Sequence, residues 1–344
     1  MSTDYRFSFG PWNIHEGADP FGPPVRPTIE FAQKVRQFKD LGFDAIMLHD
    51  DDAVPEVDEK SPSELRAAAR ELKNVLDGEG LVTEVVAPRL WEDPRGVDGA
   101  YTANDPEVRQ WAIERSKRCA DIARILGTDL LVLWLAREGT YIRESKNARE
   151  AHGRLIEAIN TLLQHDDGLR IAIEPKPNEP MDQAYVPTIG HALALASQTD
   201  SPDRVGGLIE SAHALLAGLD PSDEMAFALS MGKLWSVHLN DQNGLKYDQD
   251  KSFGSANLRT AFNQVRVLEE AQYAASGGMV AFDVKAMRTQ KPQSATRHLA
   301  NSRHLFLALV EKVRTFDRGL EARSIADRDY EALDLAVLEH LMGR

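Results

Sequence analysis

Acidic and imidazole side chains recur in this chain at spacings that suit a divalent cation. Glu174 and Lys176 sit in IEPKPNEP at the end of an apolar run, Glu210 and His213 form E-x-x-H, Asp248 and Asp250 form D-x-D, and Asp283 lies in AFDVK. Taken alone, each pattern is ordinary: a single Glu is a solvated or capping group, E-x-x-H arises by chance, and D-x-D in a polar loop makes turns. Taken together they are an oxygen-rich donor set with an occasional imidazole, which suits Mg²⁺, Mn²⁺ or Co²⁺ rather than a thiolate-selected metal. Carboxylates gathered this closely repel unless a cation sits among them. The expected cofactor is one or two divalent ions per chain, with no organic cofactor.

Such a site requires several elements that converge. Apolar or β-branched runs occur at 6–10, 43–49, 81–87, 129–135, 170–175, 205–210, 234–240 and 278–285. Most are separated by stretches of helical period, several opening on a Ser, Asn or Asp cap and two closing on Gly. Strict alternation implies parallel strands joined by right-handed crossovers, and eight units match a closed barrel better than an open sheet. The expected fold is α/β, a (β/α)₈ TIM barrel over residues 1–303 with a helical tail over 304–344. FGPWNIHEG follows the first run where a dinucleotide site would carry G-x-G-x-x-G.

Barrel active sites lie at the C-terminal ends of the strands, and His49, Asp52, Glu174, Glu210, His238 and Asp283 all fall there. Trp12 and Trp134 fit either the core or an apolar wall against a small ligand. His15, His165 and His191 have no matching constellation and read as surface or structural groups.

With 54 acidic against 40 basic residues, the formal charge is −14, which argues against nucleic acid as a partner. No apolar run approaches the ~20 residues needed to cross a bilayer, so no membrane partner is expected. The start MSTDYRFSFG lacks a basic region followed by an apolar one, and the expected location is cytoplasmic. The single cysteine, Cys119, lies in a helical stretch and reads as a packing residue.

IEPKPNEP, E-x-x-H, LNDQNGLKYDQD and FDVK, in that order, resemble the D-xylose isomerase (glucose isomerase) family, and the likeness extends back through FGPW, DPFG, HDDD, YTANDPEVR and WLAREG. The resemblance implies metal-assisted isomerisation of a monosaccharide by hydride shift. It assigns Glu174, Glu210 and Asp283 to a first metal, and Glu210, His213, Asp248 and Asp250 to a second. His49 and Asp52 would assist ring opening, Lys176 would polarise the substrate, and Trp12 and Trp134 would shield the sugar. Phe21 of DPFG would enter a neighbouring subunit's site, implying a homodimer or homotetramer; the short tail favours the dimer. Glu179–Pro180 would be cis.

The chain departs from that pattern at the centre. His238 stands where the family has a first-metal Asp, so it either coordinates as an imidazole, favouring a softer ion, or fills the gap and bonds Glu174 or Asp283. Ala87, Trp91 and Met181 replace a Thr, a Phe and an Arg. Two other readings therefore stay open: a metal-dependent epimerase or lyase acting on an oxidised sugar or glycoside, and a non-catalytic sugar-binding barrel.

Overall fold

Each of the eight apolar runs forms a strand in the computed structural model, which describes residues 5–19 and 21–344. Residues 1–4, part of the start read for a targeting signal, and Pro20 of DPFG lie outside the described residues. The strands are β1 (Arg6–Phe9), β2 (Ala45–His49), β3 (Val82–Ala87), β4 (Leu130–Trp134), β5 (Arg170–Glu174), β6 (Val205–Glu210), β7 (Leu234–Leu239) and β8 (Met279–Phe282). Each pairs in parallel with its neighbours in the chain, and β1 pairs with β8 to close the ring, Phe9 opposite Phe282. The fold is a (β/α)₈ TIM barrel.

Local chemistry sets the helix ends. Ser61 caps helix Pro62–Glu79 reciprocally: its hydroxyl accepts from the Glu64 amide, and the Glu64 carboxylate accepts from the Ser61 amide at 2.8 Å. That helix stops at Gly80, which takes the left-handed conformation at φ 66°. Asp105 and Asn147 cap the helices Pro106–Leu126 and Ala148–His165. Cys119 is buried on the first of these, in a packing position.

Met47, Val85, Val132, Ala172, Leu208 and Ala281 fill the barrel axis. Outside the ring, helix Arg297–Thr315 presses Phe306 edge-on against Tyr5 (4.9 Å between ring centres) and Phe7 (5.7 Å), while Phe7 stacks on Phe282 at 5.9 Å. A fully buried Phe contributes roughly 1.5–3 kcal/mol by removal from water. The sequence boundary at 303 falls inside this helix, whose packing makes it the barrel's last; helices Arg318–Asp327 and Tyr330–Leu341 follow it. A small antiparallel pair, Gly139–Thr140 with Gln183–Ala184, was not foreseen. A side chain at Gly139 would lie 2.1 Å from the Gln183 carbonyl oxygen, so only glycine fits there. Among the described residues, no helix is long and apolar enough to cross a membrane.

The same last helix fixes one wall of the barrel mouth. His298 Nε2–H donates to the Asn13 carbonyl at 2.8 Å, while Asn13 donates to Val284 O at 2.9 Å and accepts from the Gly10 amide at 2.7 Å. The turn Pro11–Asn13, which carries Trp12, is held from three sides. Burial keeps His298 neutral, pushing its pKa down from 6.5 to about 4. The unfolded chain therefore takes up this proton before the folded one, and stability falls as pH drops from about 6.5 to about 4. Replacing His298 with Gln is expected to remove about 3 kcal/mol of that pH dependence, measured by urea unfolding across the interval.

Candidate active site and metal centre

A cavity of about 790 Å³ opens at the C-terminal ends of the strands. Its floor is ionic. Glu210, at the end of β6, belongs to three groups whose donor atoms lie within 4.8 Å of one another: with Glu174 and His213, with His238 and Asp283, and with Asp248 and Asp250. Asn240 braces the cluster, its amide donating to Glu210 Oε1 at 2.7 Å and to the Asp283 carbonyl at 2.9 Å. Strands β5 to β8, the short helix Ser211–Leu216 after β6 and the loop after β7 thus bring together all seven residues expected to hold metal.

Electrostatics show that these groups are not satisfied by protein alone. Burial and the Asp283 charge raise the Glu174 pKa to about 8. Burial, with Asp248 next, holds Glu210 and Asp250 well above the usual carboxylate range. Asp248 goes the other way: burial opposes its ionisation, but the ammonium of Lys176 at 2.9 Å and His213 Nε2 at 3.1 Å outweigh it. His238 has no hydrogen-bond partner on either ring nitrogen, and burial drives its pKa down to about 3. A neutral imidazole with free nitrogens beside carboxylates is a ready ligand, whereas a hydrogen bond to Glu174 or Asp283 is not made. The orphaned His213 Nδ1 and Asp248 Oδ1 point to the same conclusion. The donor set fits a divalent cation.

Two lysines lie among the acids. Lys176 at the end of β5 pairs with Asp248 and, at 3.2 Å, with Glu179; burial disfavours its charge, but these carboxylates raise its pKa. Lys285 pairs with Asp250. The Glu179–Pro180 peptide is cis, as expected.

The upper cavity is aromatic and carries the second polar group. Trp12, Trp91 and Trp134 line it with His49. Trp12 Nε1–H donates to Asp283 Oδ1 at 2.9 Å, tying the wall to the acidic cluster. Trp134 meets Trp91 edge-on at 4.5 Å, and the Lys176 ammonium lies 5.2 Å from its ring centre. His49 Nδ1 lies 2.9 Å from Asp52 Oδ2. Burial works against the Asp52 carboxylate, but His49 and Arg89 outweigh it and hold the pKa at about 2.

Phe21 does not line this cavity. It is 83% exposed, with Tyr247 edge-on at 6.2 Å. His165 pairs with Asp121 near the surface and His191 with the helix cap Thr188, both structural as expected. His15 differs, since it borders the cavity while accepting from the Gly17 amide at 2.9 Å. Sequence reasoning assigned no role to Asn240, Lys285 or Arg89. Asn240 directly follows β7, and Arg89 lies two residues beyond β3, so strand-end position was the available signal.

The sequence pattern of xylose isomerase-like TIM barrels matches residues 35–287. The chain belongs to this family. A family relative, the xylose isomerase of Thermus thermophilus, is 35% identical over 327 residues, covering 94% of this chain and 83% of that protein. Solved structures of similar shape include a D-tagatose 3-epimerase-like protein (TM-score 0.66, 15% identity, 90% of this chain and 99% of that one). Another is 3-keto-D-glucoside 4-epimerase from E. coli (TM-score 0.62, 16% identity, 87% and 99%). At such identities the likeness is one of family fold.

Proposed function

We propose that this protein is a sugar-modifying enzyme, and specifically a metal-dependent aldose–ketose isomerase of the xylose isomerase type acting on a monosaccharide. The observation that carries the reading is the convergence of β5 to β8 on Glu210, beside a charged lysine and beneath three indoles. The extended similarity to a xylose isomerase supports it.

Glu174, Glu210, His238 and Asp283 would hold one divalent ion, and Glu210, His213, Asp248 and Asp250 a second. Such ions supply Lewis-acid polarisation of adjacent sugar oxygens. Lys176, anchored by Asp248 and Glu179, donates a hydrogen bond to the oxygen beside the reacting carbon. Trp12, Trp91 and Trp134 exclude water, so hydride moves between adjacent carbons without loss to solvent. His49, oriented by Asp52, meets the ring end of the sugar. The exposed Phe21 would contact a second subunit in a homodimer or homotetramer.

One observation favours a second reading. Lys176 and Lys285 pair with Asp248 and Asp250, while His238 belongs with Glu210 and Asp283 to a separate donor group. A one-ion epimerase or lyase acting on an oxidised sugar or glycoside would use such a site. Aldopentoses and aldohexoses deuterated at C2, incubated with Mg²⁺, Mn²⁺ or Co²⁺, distinguish the two. The isomerase reading expects ketose product with deuterium retained at C1. Complete washout into solvent would replace the hydride shift with proton transfer through an enediol, and turnover of 3-keto-glycosides with no ketose formed from any free aldose would replace the isomerase with the epimerase or lyase reading.

A further inference from the structure

We propose that Arg137 binds a carboxylate at the end of the substrate remote from the ions, so that the monosaccharide is a sugar acid of the uronate type. The inference rests on the reading of the barrel mouth as a sugar site.

Five lysine and arginine side chains of the described residues line the cavity, and four of them are already engaged. Lys176 pairs with Asp248 and Glu179, and Lys285 with Asp250. Arg89 lies 3.0 Å from Asp51 Oδ1 and 3.1 Å from Asp52 Oδ1. Arg288 donates to two backbone carbonyls, Gly17 at 2.8 Å and Pro23. Arg137 differs. It is half-buried, its Nε–H donates to the Trp91 carbonyl at 2.9 Å, and neither terminal amino group has a hydrogen-bond or carboxylate partner among the described residues.

The guanidinium is nevertheless held in place. Trp91, whose carbonyl anchors it, meets Trp134 edge-on at 4.5 Å and His49 at 5.2 Å. On the other side, the buried carboxylate of Glu138 accepts from the backbone amides of Ala100, Tyr101 and Thr102 at 2.9, 3.0 and 2.9 Å, fixing the chain directly after Arg137. A planar donor pair fixed at its root and open at its tip is suited to bidentate binding of a carboxylate.

Position and charge say which part of the substrate meets it. In the closed ring, β3 stands opposite β7 and β4 opposite β8. Trp91 and Arg137 follow β3 and β4, whereas the acidic cluster is built from β5 to β8. A sugar whose reacting oxygens lie over that cluster therefore extends its far end toward Arg137. Glu92, next to Trp91 in the chain, is exposed and also borders the cavity. With that charge already present, one guanidinium balances a carboxylate monoanion better than a phosphate dianion.

Calorimetric titration of the full-length protein in Mn²⁺ tests this, with D-glucuronate and D-galacturonate each compared with its neutral parent, D-glucose or D-galactose. At least one uronate is expected to bind about tenfold to a hundredfold more tightly than its parent, the range for a hydrogen bond between charged groups. High salt should shrink the advantage. Arg137→Met should abolish it, and Arg137→Lys, which keeps the charge, should retain part of it. Uronates bound no more tightly than their parents by the wild type would overturn the proposal even if neither variant folded. So would an advantage that persists in a folded Arg137→Met, since the carboxylate would then be binding the ions. Tighter binding of D-glucose 6-phosphate than of either uronate would overturn the choice of carboxylate. Binding needs no turnover, so a protein that selects uronates through Arg137 but converts no sugar would sink the isomerase reading and leave this one standing.

Discussion

Glu210→Gln is expected to remove ion binding and sugar turnover together, with turnover falling at least about a thousandfold, the upper range for loss of one electrostatic donor. The reason is connectivity: Glu210 alone belongs to all three donor groups. Glutamine keeps the shape, and its carbonyl can still accept from Asn240, so the barrel should fold. In ion-free protein burial, together with Asp248, Asp283, Asp250 and Glu174, disfavours the Glu210 carboxylate, and glutamine removes that penalty. Unfolding free energy should then rise by about 1 kcal/mol, the scale of a typical single substitution. Calorimetric titration with Mn²⁺ and thermal melts with and without the ion measure both effects. Retention of Mn²⁺ affinity by Glu210→Gln would refute the shared-ligand arrangement.

His238→Asp is expected to shift ion preference by about tenfold to a hundredfold from Co²⁺ or Zn²⁺ toward Mg²⁺, since carboxylate oxygen is the harder donor. The imidazole is neutral and buried with both nitrogens free, so nothing in the protein compensates for its removal. The aspartate also adds a charge to a cluster whose carboxylates already resist ionisation, so ion-free protein should lose stability even as Mg²⁺ affinity rises. Titrations with each ion, followed by xylose turnover, read the outcome. An unchanged Mg²⁺ to Co²⁺ affinity ratio would mean that His238 does not coordinate.

Much of the fold is legible in the sequence because parallel barrel strands are buried on both faces and read as unbroken apolar runs. LLVLW and VGGLIE announce themselves this way, and the Ser61, Asp105 and Asn147 caps mark where helices begin. The acidic cluster is legible for the same reason, since acids at the ends of such runs converge once the barrel closes. Arg89 was hidden because its partner Asp52 lies 37 residues away, and the contact exists only because β2 and β3 are adjacent. The paired segments Gly139–Thr140 and Gln183–Ala184 are too short to show any period. The boundary at 303 falls within RHLANSRHLFLALVEKV, which is one uninterrupted helical pattern; the chain breaks only at Phe316, before the Asp317 cap.

The ring closes between β1 and β8, and Asn13 meets Val284 across 271 residues of sequence. During synthesis, therefore, the first strand leaves the ribosome long before its partner exists. Until Met279–Phe282 and the helix bearing Phe306 have been made, β1 and β7 remain open edges able to pair with other chains. Barrel completion is a late event of high contact order, so yield in the cell depends on how well those two edges are shielded while translation finishes.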